Sequence, residues 1–158
     1  MDKNLLITNL IKQFEHIVSL YNAVEKTTYS YGTEIMLHPS EIHMIAAIGG
    51  HPDSNLTGLS KDLGITKGAT TKMIQKLVKK GLVIKQFAPN SENEIALSLT
   101  AIGQKAYLGH HSYRKNLNQE LTDIYAVVPE NVLIHMETIG NKTEEIFKAM
   151  IVERSKQR

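Results

Sequence analysis

Seven lysines, Lys61, Lys67, Lys72, Lys76, Lys79, Lys80 and Lys85, stand within 25 residues that hold a single acid, Asp62. The 158-residue chain has a net charge of only +2, so this segment of +6 lies in a remainder of about −4. The chemistry such a cluster suits is neutralisation of a polyanion, and the polyanion with matching density is a phosphate backbone. On a helical wheel of ~100° per residue, Thr70, Ile74, Leu77 and Val78 fall on one side, ready to pack. Gly68, Lys72, Gln75, Lys76 and Lys79 fall on the other and form a polar, cationic rod. Lys72 and Gln75 are suited to hydrogen-bond base edges, with Lys67, Lys76, Lys79 and Lys85 on phosphates. Gly68, lacking a Cβ, lets a partner approach the backbone. On an arbitrary helix such a face is most often merely solvated; the elements around this one weigh the other way.

Those elements follow from local signals. Ile7, Leu10, Ile11, Phe14, Ile17, Val18 and Tyr21 recur at helical spacing and predict a first helix over 4–31. "LHPSEIHMIAAIGG" predicts a second, with His38 as cap, Pro39 in the first turn and Glu41 at the acidic position of a capping box. A short helix follows from about Asn55 to Leu63, closed by Gly64; Thr66 then caps a helix from Lys67 to Lys80 that Gly81 stops. "LVIKQF" and "EIALSL", joined by the turn-forming "APNSEN", read as a β-hairpin. Thr100 caps a long helix to about Tyr125, and Pro129 starts a last one carrying Val132, Leu133, Met136, Ile139, Ile146, Phe147 and Met150.

Two short helices joined through Gly64 make a helix-turn-helix, whose second helix reads DNA. A hairpin directly after it makes a winged helix. The fold class expected is therefore mainly α with a small β-hairpin wing. The divisions are 1–35 (dimerisation helix), 36–100 (winged helix-turn-helix) and 101–158 (dimerisation helices). Because the winged-helix unit supplies its own core, the long terminal helices are left to cover each other and a second copy. The expected dimer contacts are Ile7, Leu10, Ile11, Phe14, Ile17, Met136, Phe147 and Met150.

"LGITKGATTKMIQKLVKKGLVIKQ" followed by "LSLTAIG" resembles the MarR family of bacterial winged-helix regulators, and "LHPSEIHMIAAIG" resembles the helix that precedes the family's helix-turn-helix. The match spans about residues 35–105. The resemblance implies a homodimeric repressor on a pseudo-palindromic operator of double-stranded DNA, released by a small-molecule effector. It puts Thr66 at the capping position that often touches phosphate, and Thr71 and Lys72 at the pair that often reaches bases. The family's wing carries an Asp-x-Arg tip; here the tip reads "NSENE", with Glu92 and Glu94 and no Arg, so wing contact would fall to groups such as Asn93. The effector of such proteins binds between the dimer helices and the DNA-binding unit, where Tyr29, Tyr31, His43 and Tyr107 are the candidates to line a cleft.

Some relatives of the family bind zinc through histidines from two regions that here hold His38, His43, His110 and His111. His110 and His111 point ~100° apart on a helix, and the residue one turn beyond His110 is Arg114, so polar surface or a hydrogen-bonded dimer-interface histidine is the better reading. No cofactor is expected. A metal-responsive regulator using His43, His110 and His111 is one alternative; a winged-helix protein-interaction module without DNA binding, suggested by the acidic wing tip, is another. No nucleophile elbow or dinucleotide fingerprint occurs, and "TKGATT" has its Lys on the wrong side of Gly for a phosphate loop, which argues against an enzyme. The absence of cysteine excludes disulfides and thiol redox sensing. No signal-peptide core or membrane span is legible, which reads as a soluble, cytoplasmic protein.

Overall fold

The computed structural model describes residues 2–51, 55–87 and 95–156. The element order is α1 (Lys3–Val24), α2 (Pro39–Gly50), α3 (Leu56–Asp62), α4 (Lys67–Lys79), β1 (Val83–Phe87), β2 (Ile95–Leu99), α5 (Ala101–Ala126) and α6 (Glu130–Ser155). Four helices, a hairpin and two helices is the order the sequence predicts. The chain falls into two compact units, residues 1–113 and 114–158. No helix among the described residues is long and apolar enough to cross a membrane.

In the first unit the core is built on α2, whose Ile42, Met44, Ile45 and Ile48 are buried. Leu59 of α3, Ile74 and Leu77 of α4, Leu82, Val83, Leu97 and Ala106 of α5 join the same cluster. Each of the large aliphatic side chains contributes ~1.5–3 kcal/mol by leaving water. Caps set the helix starts. The Asn55 carboxamide oxygen accepts from the Gly58 N–H at 2.9 Å, and the Thr66 hydroxyl from the Ala69 N–H at 3.2 Å. Thr100 accepts from the Gly103 N–H at 3.0 Å while its own hydroxyl donates to the Gly81 carbonyl at 2.6 Å. The stops after α3 and α4 use Gly64 and Gly81 at φ 63° and 71°, in the left-handed region where a Cβ is costly. The strands pair antiparallel, Val83 opposite Leu99 and Lys85 opposite Leu97. The first half of α5 closes over this core. A Cβ on Gly103 would collide with the Leu82 carbonyl, and one on Gly49 would meet the Tyr107 ring at 2.6 Å. Gly49, readable only as a helix stop in the sequence, is thus a packing site.

One boundary differs from expectation. The first helix ends at Val24, not at residue 31. The Lys26 and Thr27 N–H groups turn back to the carbonyls of Ala23 and Val24 at 3.1 and 2.9 Å, and the Thr27 hydroxyl also donates to Val24 at 2.7 Å. The apolar stripe has run out by then, and two consecutive β-branched threonines disfavour continuation. Tyr29 instead bridges to Leu37, and Tyr31 takes φ 48°.

In the second unit, α5 continues to Ala126 and α6 begins with Pro129 as its cap residue. No residue of α6 is buried.

Candidate nucleic-acid interface

The helix α4 is fixed along one side and open along the other. Thr70, Ile74 and Leu77 are buried, and the Thr70 hydroxyl satisfies itself on the Thr66 carbonyl at 3.1 Å. Lys67, Gly68, Lys72, Gln75, Lys76 and Lys79 are exposed; Thr71 is half-buried, its hydroxyl donating to the Lys67 carbonyl at 2.9 Å. Among the described residues nothing lies within 4 Å of the place where a Gly68 Cβ would be, so no packing among them requires glycine there. Lys85 on β1 is also exposed. Beside α4 runs a cleft of about 440 Å³ lined by Leu56, Thr71, Ile74, Gln75, Val78, Lys79 and Lys85. Val78 belongs to this cleft and is 39% exposed, contrary to its expected place on the packed side. It stands at the margin of that side, where the core gives way to the cleft. Asn93, with Glu92 and Glu94, lies outside the described residues.

Two lysines are engaged inward. Glu41 is fully buried at the third position of α2 and accepts the His38 N–H at 2.9 Å, completing the capping box. Its carboxylate is also reached by Lys80 at 2.8 Å on Oε1 and 2.9 Å on Oε2, and by Lys76 at 3.1 Å on Oε1. Burial pushes the carboxyl up, but Lys80, the His38 backbone N–H and Lys76 together outweigh it and hold the group below its ordinary value. Lys76 is half-exposed and still contacts this carboxylate, so it is only partly the free phosphate ligand that the wheel suggests. The sequence gives Glu41 a capping role and nothing more. Its lysine partners are 35 and 39 residues away, beyond the reach of any local pattern.

The histidines divide. His43 and His110 approach with ring centroids 5.9 Å apart, and His110 is buried, whereas His111 is exposed. Among the described residues no group of three His, Cys, Asp or Glu could hold a metal ion. Tyr31 is the centre of an aromatic cluster, edge-on to Tyr29 at 5.0 Å, His110 at 5.4 Å and Tyr113 at 5.8 Å. Burial, then the neighbouring Tyr113, Glu25 and Tyr29, raise its phenol. Of the residues expected to line an effector cleft, Tyr29, Tyr31 and His43 meet in this chain of ring contacts, while Tyr107 turns to Gly49.

Residues 37–92 match the model of the MarR family. The chain is 22% identical over 130 residues to the HTH-type transcriptional regulator YhjH of Bacillus subtilis, covering 82% of this chain and 71% of that protein. Among solved structures it is similar to ZitR of Lactococcus lactis, a zinc-responsive MarR family member, with TM-score 0.72 and 18% identity over 89% of this chain and 99% of that one. It is also similar to FabT of Streptococcus pneumoniae in complex with DNA, with TM-score 0.63 and 19% identity over 94% of this chain and 99% of that one.

Proposed function

We propose, starting from a chain that carries a MarR-family winged helix-turn-helix, that this protein is a cytoplasmic transcriptional regulator that binds double-stranded DNA as a homodimer and represses. The observation that carries the reading is α4: one side is locked into the core and the other presents Lys67, Lys72, Gln75 and Lys79 to solvent. Laid in a major groove, its N-terminal half brings Thr71, Lys72 and Gln75 to base edges. Thr66, Lys67, Lys79 and Lys85 serve phosphates. Gly68, with open space among the described residues where a Cβ would be, leaves the backbone open to close approach by a phosphate.

The homodimer is supported by the terminal helices. Leu10, Ile17, Ile139 and Ile151 are all more than half exposed, an exposure of large aliphatics that a second copy would relieve. A two-fold dimer presents two α4 helices and reads a pseudo-palindromic site. A small organic effector lodged beside Tyr29 and Tyr31 would act on the segment joining α1 to α2 and so on the spacing of the two reading helices. Metal control is the less favoured reading: His43 and His110 approach each other, while His111, the third histidine expected to contribute, is exposed.

The test is selection of duplexes from a random library by the purified protein, followed by anisotropy titration of the selected sequence against a random duplex. Selective, salt-sensitive binding is expected. An absence of binding to any duplex overturns the reading in favour of a protein-interaction module.

A further inference from the structure

Glu41 touches no surface on which DNA could lie, yet it holds two of the seven lysines that make the α4 region cationic. We propose that Glu41 is a positioning residue for DNA recognition: it clamps the C-terminal turn of α4 to the N-terminus of α2 and withholds Lys76 and Lys80 from phosphate. This rests on the DNA-binding reading of α4.

The geometry makes the clamp specific. Lys80 is the residue that caps α4, and its ammonium bridges both Glu41 oxygens and also donates to the Met36 carbonyl at 3.3 Å. Lys76 lies one turn earlier and takes Oε1 from its more exposed position. The same carboxylate is anchored by the His38 N–H, so it cannot follow the lysines outward without undoing the start of α2. The pitch of the reading helix on the core is therefore fixed at its far end by charge, while Thr70, Ile74 and Leu77 fix it along its length by packing. A base-reading side chain works only within a narrow angle, whereas phosphate attraction tolerates any pose. A clamp that both fixes the helix and removes two free cations favours cognate over random DNA on both counts. Lys61, Lys67, Lys72, Lys79 and Lys85 are left to supply the long-range attraction.

The discriminating experiment titrates wild type, Glu41→Gln and Lys76→Gln against a duplex selected by the wild-type protein and a random duplex of equal length, over a series of salt concentrations. Glutamine at 41 keeps the capping acceptor and loses the charge. It should tighten binding to the random duplex, steepen the log–log salt slope by up to ~1.8 per half-site as two lysines reach phosphates, and lower the selected-to-random ratio by roughly tenfold. A residue that merely supports the fold would weaken both duplexes together and leave the slope alone. That result, or an unchanged ratio and slope, overturns the proposal. Lys76→Gln alters a half-exposed side chain, so it keeps the question decidable if Glu41→Gln does not fold. It should lower the selected-to-random ratio, because the clamp loses one of its two lysines; an unchanged ratio with a slope shallower by ~0.9 overturns the proposal, because Lys76 would then be spending its charge on DNA. If wild-type protein binds no duplex, the DNA-binding reading itself falls and this inference with it.

Discussion

The region from α2 to the start of α5 and the two terminal helices are made of the same kinds of side chain with opposite fates. Ile45 and Ile48 of α2 are 0% and 2% exposed, while Ile17 of α1 and Ile139 of α6 are 57% and 65% exposed. Neither terminal helix has a single buried residue, although each carries an apolar stripe. The difference teaches where each part finds its stability. The winged-helix part folds onto itself through a cluster that runs from Tyr31 to Ala106. The terminal helices leave large aliphatic side chains such as Ile17 and Ile139 more than half exposed, and a second chain is the partner we propose for them.

The sharpest way to break this comparison is to damage each region and ask whether protein concentration matters. Leu77→Ala removes a fully buried side chain beneath α4 and should cost ~2–5 kcal/mol. Its melting temperature should fall at every protein concentration, and DNA binding should be lost with the fold. Leu10→Asp, at a 56% exposed position of α1, should leave the winged helix folded. It should nevertheless weaken self-association by ~2–4 kcal/mol as an interface anchor. Light scattering should show monomers at micromolar concentration, and the melting temperature of wild type, unlike that of the mutant, should rise with concentration. Monomeric wild-type protein would remove the proposed role of the terminal helices.

How far the comparison was legible in the sequence depends on range. Caps and stops act over three or four residues, so Thr66, Pro39, Thr100, Gly64 and Gly81 are readable where they stand, and so is the alternation of β2. The stripe of α1 is readable too, but its end is not: extension to residue 31 carried the helix past its own hydrophobic support, into a Thr-Thr pair and a bridge to Leu37 that no local pattern announces. The site is legible as a wheel face because α4 is amphipathic. Long-range partners are not. Glu41 reads as a cap, Lys76 as a phosphate ligand and Gly49 as a stop, and each acquires its second role from a residue dozens of positions away.

Within the winged-helix region, the lysines sharpen the comparison between reading and mere attraction. Lys72→Ala should cost ~1–3 kcal/mol on the selected duplex and little on a random one, if it meets a base. Lys79→Ala, further from the N-terminus of α4, should weaken both duplexes about equally and make the salt slope shallower by ~0.9 per half-site. Equal loss on both duplexes from both substitutions would reduce Lys72 to a phosphate contact. Competition titrations at two salt concentrations separate these outcomes.

The smallest effect concerns two carboxylates whose titration is shifted the same way for reasons of different weight. Glu41 is fully buried between α2 and α4 and held below its ordinary value of 4.5 by Lys80, the His38 N–H and Lys76 against the push of burial. Glu144 lies exposed on α6 and is lowered by Lys148, with which it pairs at 2.6 Å. In the unfolded chain either group titrates near its ordinary value, so near that pH the unfolded state binds more protons than the folded one. The stabilisation linked to each shift is therefore fully present above 4.5 and is lost as pH falls through the depressed folded value. For Glu41 this should be visible. The gap in melting temperature between wild type and Glu41→Gln should be constant from pH 7 to about pH 5.5 and then narrow with acidification. For Glu144 the pair is surrounded by water, screened by salt and free to part, so Glu144→Gln should track wild type at every pH. Thermal melts at low and moderate salt provide the check. A flat gap for Glu41→Gln would mean that Lys76 and Lys80 do not hold the carboxylate in solution, and an acid-dependent gap for Glu144→Gln would mean that α6 is covered by something that shields the pair from water.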